Sequence, residues 1–267
     1  MKKLILAAVF TLITSAAHAG MPTAELYLST SGTDSGNCQV AACRTPPYAA
    51  AQVPPGYIAE INVADGSYTF SGTARTYYYS PVSWIGNLAH PENIVFQKTD
   101  SAGCVLYFED DSIGGVQGIS FYAGVAGQTA ICSRQHTIVD FLSLRFGGGP
   151  IVLQQLISST DYGVNSCTGT IYIDQSIENG AAAFMLNNSK LNLNCAIVLP
   201  AGLTIPFFVE GVGGSRINLT GSFTGGGQGT ATHGLPYNID GLTLLTKNGV
   251  ILPGDLTPAV TNGSVAY

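Results

Sequence analysis

Short apolar runs of strand character recur along the chain: Ile61-Asn62-Val63, Ile94-Val95-Phe96, Ile119-Ser120-Phe121, Leu142-Ser143-Leu144, Ile171-Tyr172-Ile173, Leu191-Asn192-Leu193 and Ile217-Asn218-Leu219. Alternation of this kind marks strands with one face buried, and no run carries the 3.6-residue stripe of a helix. The last apolar residues of successive runs lie 33, 25, 23, 29, 20 and 26 residues apart, a mean of 26. Spacings of this size belong to solenoids, so each run is expected to mark one turn of a parallel β-helix, about seven in all. Second strands are expected at Ile151-Val152-Leu153, Ala183-Phe184-Met185-Leu186 and Pro206-Phe207-Phe208-Val209, each after a Gly-rich or Pro-containing turn. At Asn187-Asn188 two strands meet across residues that tolerate a left-handed backbone. An antiparallel sandwich would also use short strands, but it needs hairpin turns. The one Asn-Gly pair between apolar runs is Asn248-Gly249.

The beginning of the chain breaks the pattern. After a lone strand at Leu26-Tyr27-Leu28 comes a polar loop, Ser29 to Asn37, and then Thr45-Pro46-Pro47-Tyr48-Ala49-Ala50-Ala51-Gln52. Thr45 is placed to cap a short helix and Pro46 suits its first turn. Such a helix would close the end of a solenoid, whose terminal turn otherwise exposes its interior and an unpaired edge.

Composition sharpens this picture. Thirty-three glycines and 13 prolines in 267 residues favour a turn-rich β protein, and 46% hydrophobic residues supply a core. Residues 1–19 have the order of a secretory signal peptide: Lys2 and Lys3, an apolar Leu4 to Ile13, and the small-residue site Ala17-His18-Ala19. The expected organisation is therefore residues 1–19 signal, 20–56 strand, loop and cap helix, 57–230 β-helix rungs, and 231–267 a terminating segment. The exported form, secreted or periplasmic, carries eight basic against 16 acidic residues, a net charge of −8. Its basic residues are scattered singly, which excludes nucleic acid as a partner and disfavours anionic membranes; no later stretch is long and apolar enough to span a bilayer. Oligomeric state is left open.

Six cysteines in an exported chain read as disulfides, with 15 possible connectivities by counting alone. The expected pairs are Cys38–Cys43, closing the polar loop, and Cys104–Cys132 and Cys167–Cys195. Each of the last two is separated by 28 residues, about one turn. No zinc spacing is present, and neither a metal nor a cofactor is expected.

The succession Tyr27-Leu28-Ser29-Thr30-Ser31-Gly32-Thr33-Asp34-Ser35-Gly36, an alanine-rich helix, and Ile61-Asn62-Val63-Ala64-Asp65-Gly66-Ser67-Tyr68 resembles the opening of right-handed parallel β-helix proteins of the pectin-lyase-like superfamily. Lys247 to Asp255 is similar to the endings of its prophage-associated members. The resemblance implies an all-β, right-handed parallel β-helix and a surface that handles polysaccharide, without fixing one reaction.

Catalytic signatures do not carry over. Asp110-Asp111 lacks the glycine context of the superfamily's hydrolases, Thr232-His233-Gly234 follows rather than precedes Arg216-Ile217-Asn218, and Ser83-Trp84-Ile85-Gly86 lacks the acidic residue of pectate lyases. Glu109-Asp110-Asp111 offers two carboxylates or a calcium site but is expected to be a solvated turn. The remaining expectation is a polysaccharide-binding surface. Tyr77 and Tyr79, with Trp84, form an aromatic cluster in the longest interval, suited to stacking on sugar rings. Stacking Phe96, Phe121, Leu144, Ile173, Leu193 and Leu219 inside would set an outward column of Gln97, Tyr122, Arg145, Asp174, Asn194 and Thr220. In that column Arg145 and Asp174 form an ion pair flanked by Tyr122 and Asn194.

Overall fold

The computed structural model describes residues 21–77, 80–226 and 232–267; the expected signal segment and Tyr79 lie outside them. The chain winds into a right-handed parallel β-helix of about seven turns with three faces. Face one stacks β1 (Thr23–Leu28), β2 (Ile58–Val63), β5 (Val82–Ile85), β8 (Ile113–Gln117), the first parts of β11 (Ile138–Phe146) and β13 (Val164–Ile173), β15 (Lys190–Leu193), β18 (Arg216–Leu219), β21 (Leu244–Thr246) and β23 (Val265–Ala266). Face two stacks β3 (Gly66–Phe70), β6 (Ile94–Lys98), β9 (Ser120–Ala123), the second parts of β11 and β13, β16 (Ala196–Val198) and β19 (Ser222–Thr224). Face three stacks β4 (Ala74–Thr76), β7 (Gly103–Phe108), β10 (Gln128–Arg134), β12 (Gln155–Thr160), β14 (Ala182–Asn187), β17 (Thr204–Val212), β20 (His233–Ile239) and β22 (Ala259–Val260). The ladder thus runs from β1, which pairs with β2, through to the last strand.

Each inward column is one residue position repeated turn after turn. Face one stacks Leu26, Ile61, Trp84, Val116, Phe141, Cys167, Leu193 and Leu219. Face two stacks Tyr68, Phe96, Phe121, Phe146 and Ile173, with Leu144, Ile171, Ile197 and Phe223 in a parallel column. Burial of these side chains is the main stabilising term, and it depends on every turn meeting its neighbour.

This register corrects the sequence reading in one respect. The recurrent runs belong to two faces: those ending at Val63, Leu193 and Leu219 lie on face one, those ending at Phe96, Phe121, Leu144 and Ile173 on face two. Hence the uneven intervals. The 33-residue gap is one turn plus one face, and the 20-residue gap is one turn less a face. Leu144 stacks on Ile171, and it is Phe146 that stacks on Phe121. Of the second strands, β14 and β17 form; Ile151 makes only a lone antiparallel bridge to Ala123.

The cap helix, α1 (Pro46–Ala51), forms, but Thr45 does not cap it through its side chain. Its hydroxyl donates instead to Asp34 at 2.7 Å, and Asp34 also accepts from the Arg44 and Thr45 amides at 2.8 and 2.9 Å. One carboxylate thereby ties the polar loop to the helix.

Corners from face three to face one are built from residues with positive φ: Asp110 and Asp111, Gln135 and His136, Asp161 and Tyr162, Asn188, Gly213 and Gly214, Gly241 and Leu242. Their amides reach the carbonyls of the next turn, as His136 does to Asp161 (3.0 Å) and Tyr162 to Asn188 (2.8 Å). Glu109-Asp110-Asp111 is therefore a corner, with Glu109 paired to Arg75 at 3.3 Å and Asp111 3.6 Å from His136. Among the described residues no group of three or more His, Cys, Asp or Glu side chains is placed to hold a metal.

The three cysteine pairs are those expected, with Cα separations of 5.1, 5.8 and 5.5 Å for Cys38–Cys43, Cys104–Cys132 and Cys167–Cys195. The last two join adjacent turns, β7 to β10 and β13 to the corner before β16. Three disulfides fit an oxidising, extracellular or periplasmic environment. No helix among the described residues is long and apolar enough to cross a membrane.

Two carboxylates fasten the last turn. Asp255 lies 2.9 Å from His233 Nδ1 and accepts the Gly234 amide at 2.9 Å, while Asp240 accepts from the Thr261 hydroxyl at 2.7 Å. Gly234 is required there: its φ is +139°, and a Cβ would fall 1.8 Å from the Ile205 carbonyl oxygen. The His233 contact followed by the Gly234 amide depresses the Asp255 pKa, and the Thr261 and Asn262 bonds depress that of Asp240. A depressed carboxylate contributes stability above its unfolded value, near 3.8, which is lost as pH falls through the folded value. Amide exchange in residues 255–267 should therefore accelerate below about pH 4, before the central turns respond. Asp255→Asn should give fast exchange already at neutral pH; an unchanged profile would remove the clamp.

Candidate functional site

The outward side of face two brings polar and aromatic groups together around Arg145 of the expected column. Alternation along β13 buries Ile171 and Ile173 and turns Tyr172 outward, while β11 does the same for Arg145. Arg145 is in register with Tyr172, and its guanidinium lies over that ring at 5.6 Å from the centroid. Its Nε donates to Asp174, two positions further along the same turn as Tyr172. A second carboxylate arrives from outside the sheets. The segment between β5 and β6 leaves the helix, makes a 3-10 turn at Pro91–Asn93, and brings Glu92 within 3.5 Å of the Arg145 guanidinium.

Tyr122 lies one turn below, in register with Gly147 rather than Arg145, and close to the guanidinium. The turn 147–149 folds across it: a Cβ on Gly148 would stand 3.0 Å from the Tyr122 hydroxyl, and Gly148 has φ +106°. Gln175 pins this turn, accepting the Gly148 amide at 3.2 Å and donating to the Gly149 carbonyl at 2.9 Å.

Electrostatics keeps this site charged. Burial works against the Arg145 cation, but the hydrogen bond and attraction of Asp174, helped by Glu92, hold its pKa above the ordinary arginine value. Glu92 is held below the usual carboxylate range by its own backbone amide and His90, with a smaller share from Arg145. One carboxyl with the opposite perturbation, Asp140 on the outward side of face one, has its pKa raised by burial against a lowering bond from Ser166. Its neighbours in register are Gly115 and Ser166, so it does not face a second carboxylate there.

The expected residues are therefore partly assembled. Arg145, Asp174 and Tyr122 come together. Asn194 is exposed at the corner between β15 and β16, one turn beyond Tyr172, and its column continues to Thr220 on face one. Trp84 is corrected outright: at 0% exposure it packs edge-on against Phe96 at 5.8 Å, because the alternation of β5 turns it inward. Tyr77 is 46% exposed, and Tyr79 lies outside the described residues. Glu92, Tyr172 and Gln175 were missed. Tyr172 could have been found from its place between two isoleucines, whereas only the return path of the 86–93 segment reveals Glu92.

Comparison with protein-family models and with curated proteins gave no match to the chain. The site must be read from its own geometry.

Two other surfaces bear on that reading. On face three, Arg75 lies over Tyr107 at 5.1 Å and pairs with Glu109, and Arg134 pairs with Asp161 at 3.0 Å. Tyr107, Arg134, Ser158, Thr160, Asp161 and Asn187 line a shallow groove of about 370 Å³ there. A groove of about 650 Å³ on face one, between Tyr27, Val40, Asn62 and Ile85, has no charged side chain in its walls.

Proposed function

We propose that this is an exported protein that binds an extracellular polysaccharide along the outward side of its β-helix, derived from the prophage-associated branch of the pectin-lyase-like superfamily. The observation that carries the reading is the Arg145 centre. A guanidinium held between Asp174 and Glu92, with Tyr172 beneath it and Tyr122 beside it, presents fixed donors, acceptors and ring edges at a half-exposed surface. Sugar hydroxyls are matched by such paired donors and acceptors, and their C–H faces by aromatic rings. Both carboxylates contact the arginine, an arrangement that suits binding better than proton transfer. The family and export rest on the opening motif, the N-terminal segment and the cysteine pairs.

Retention on a panel of acidic and neutral polysaccharides tests this reading. Arg145→Ala should weaken retention by at least about tenfold, the scale of one charge-assisted hydrogen-bond set, without change in the far-ultraviolet spectrum. Unchanged retention removes the face-two site. Loss in Arg134→Ala alone moves the site to the face-three groove, which is favoured by its concavity. New reducing or unsaturated ends in the same incubations would mean a hydrolase or lyase. Retention by no polysaccharide would leave a structural or adhesive surface module.

A further inference from the structure

The Arg145 centre holds more hydrogen-bond acceptors than donors. Its guanidinium has one carboxylate on Nε, from Asp174, and a second 3.5 Å from Nη1, from Glu92. One positive charge against two negative charges leaves the centre negative. Each carboxylate offers about four lone-pair sites and no proton, whereas the N–H groups of the guanidinium are already shared between the two. Glu92 stays ionised because its own backbone amide and His90 hold its pKa below the usual carboxylate range.

No second cation on this face offsets that balance. Among the described residues the face-two strands hold one further basic side chain, Lys98, which is buried at 2% exposure and donates from its ammonium to the Ala102 carbonyl at 2.9 Å. Along the outward column Arg145 is followed on successive turns by Tyr172, Val198 and Thr224, in register. None of the three is charged; Thr224 is exposed and the other two are partly exposed. At about 4.8 Å per turn this strip runs for about 14 Å beyond Arg145. On the other side the column is closed, because Ser120 is fully buried and donates to the Pro91 carbonyl of the 3-10 turn at 2.7 Å.

We propose that the glycan bound at this centre is a neutral one, free of acidic groups and held through its hydroxyls as hydrogen-bond donors, an inference that rests on the polysaccharide function proposed above. A hydroxyl brings a proton to a surface rich in acceptors. A uronate brings two more acceptor oxygens and a third negative charge, and to reach the guanidinium it must displace Asp174 or Glu92 from a charge-assisted contact. Beyond Arg145, the uncharged strip through Tyr172 to Thr224 suits the C–H faces of sugar rings. The net charge of the chain, −6, adds a long-range repulsion against polyanions. An arginine alone would select an acidic sugar; its two carboxylate partners reverse that choice.

Retention on matched polymers tests it: galactan against polygalacturonate, mannan against polymannuronate and glucan against polyglucuronate, each pair sharing a ring configuration and differing at C6. The wild type should hold one neutral polymer at least about tenfold better than its uronate partner, and that retention should change by less than about twofold between about 0.05 and about 0.5 M NaCl. Arg145→Ala should lose it. Glu92→Gln with Asp174→Asn leaves Arg145 an unopposed cation and should gain retention on the uronate partner that fades with salt. Circular dichroism checks that the double variant folds, and the wild-type comparison needs no variant. Equal or stronger retention of the wild type on a uronate, salt-sensitive retention on the neutral polymer, or a folded double variant that gains nothing on uronates overturns this inference and leaves the polysaccharide function standing. Retention on no polymer overturns that function and this inference with it; retention that Arg145→Ala leaves unchanged removes the face-two site and the inference together.

Discussion

Phe121→Ala is expected to cost about 3–5 kcal/mol, among the largest effects of any single substitution in this protein. The ring is fully buried between Phe96, edge-on at 6.0 Å, and Phe146, stacked at 5.7 Å, so truncation removes two aromatic contacts and leaves a cavity one ring wide. Close packing lets the neighbouring turns collapse only partly, because each is fixed by its own ladder on three faces. Since Tyr122 follows Phe121 and Arg145 precedes Phe146, the damage should reach the binding surface as well. Denaturant titration gives the stability loss. A change below about 1 kcal/mol would mean that the face-two stack does not hold the middle of the helix together. Phe223→Ala, at a partly buried position near the last turns, should cost clearly less.

Removal of the Cys167–Cys195 bridge should have the next largest effect. Cross-linking residues 28 apart removes about 3.5 kcal/mol of chain entropy from the unfolded state, against about 2 kcal/mol for the five-residue separation of Cys38–Cys43. Both sulfurs lie inside the corner between faces one and two, so Cys167→Ala with Cys195→Ala also loses packing. The double variant should unfold at distinctly lower denaturant than Cys38→Ala with Cys43→Ala. The reverse order would show that the N-terminal loop, and not the interior staple, limits unfolding.

The sequence alone determined the architecture. A mean spacing of 26 residues, alternating runs and turn residues without a helical stripe leave a parallel solenoid as the arrangement that buries every run, because a lone turn has no core of its own. It determined the disulfides for the same reason: a 28-residue separation is one circuit, which returns a cysteine to within bridging distance of its partner. Inward and outward facing within a strand was also legible, and Trp84 was misplaced only because a nearby tyrosine cluster outweighed the alternation of Val82-Ser83-Trp84-Ile85. What the sequence did not contain was register. Nothing in Leu142-Ser143-Leu144-Arg145-Phe146 says whether Leu144 or Phe146 lies over Phe121, since both are apolar and both point inward; the ladder hydrogen bonds decide it, and a two-residue choice moves Arg145 from the column of Tyr122 to that of Tyr172. Glu92 joins the site for a related reason: its approach to Arg145 depends on how the connection between β5 and β6 folds back, a distance that closes only when the whole chain is wound.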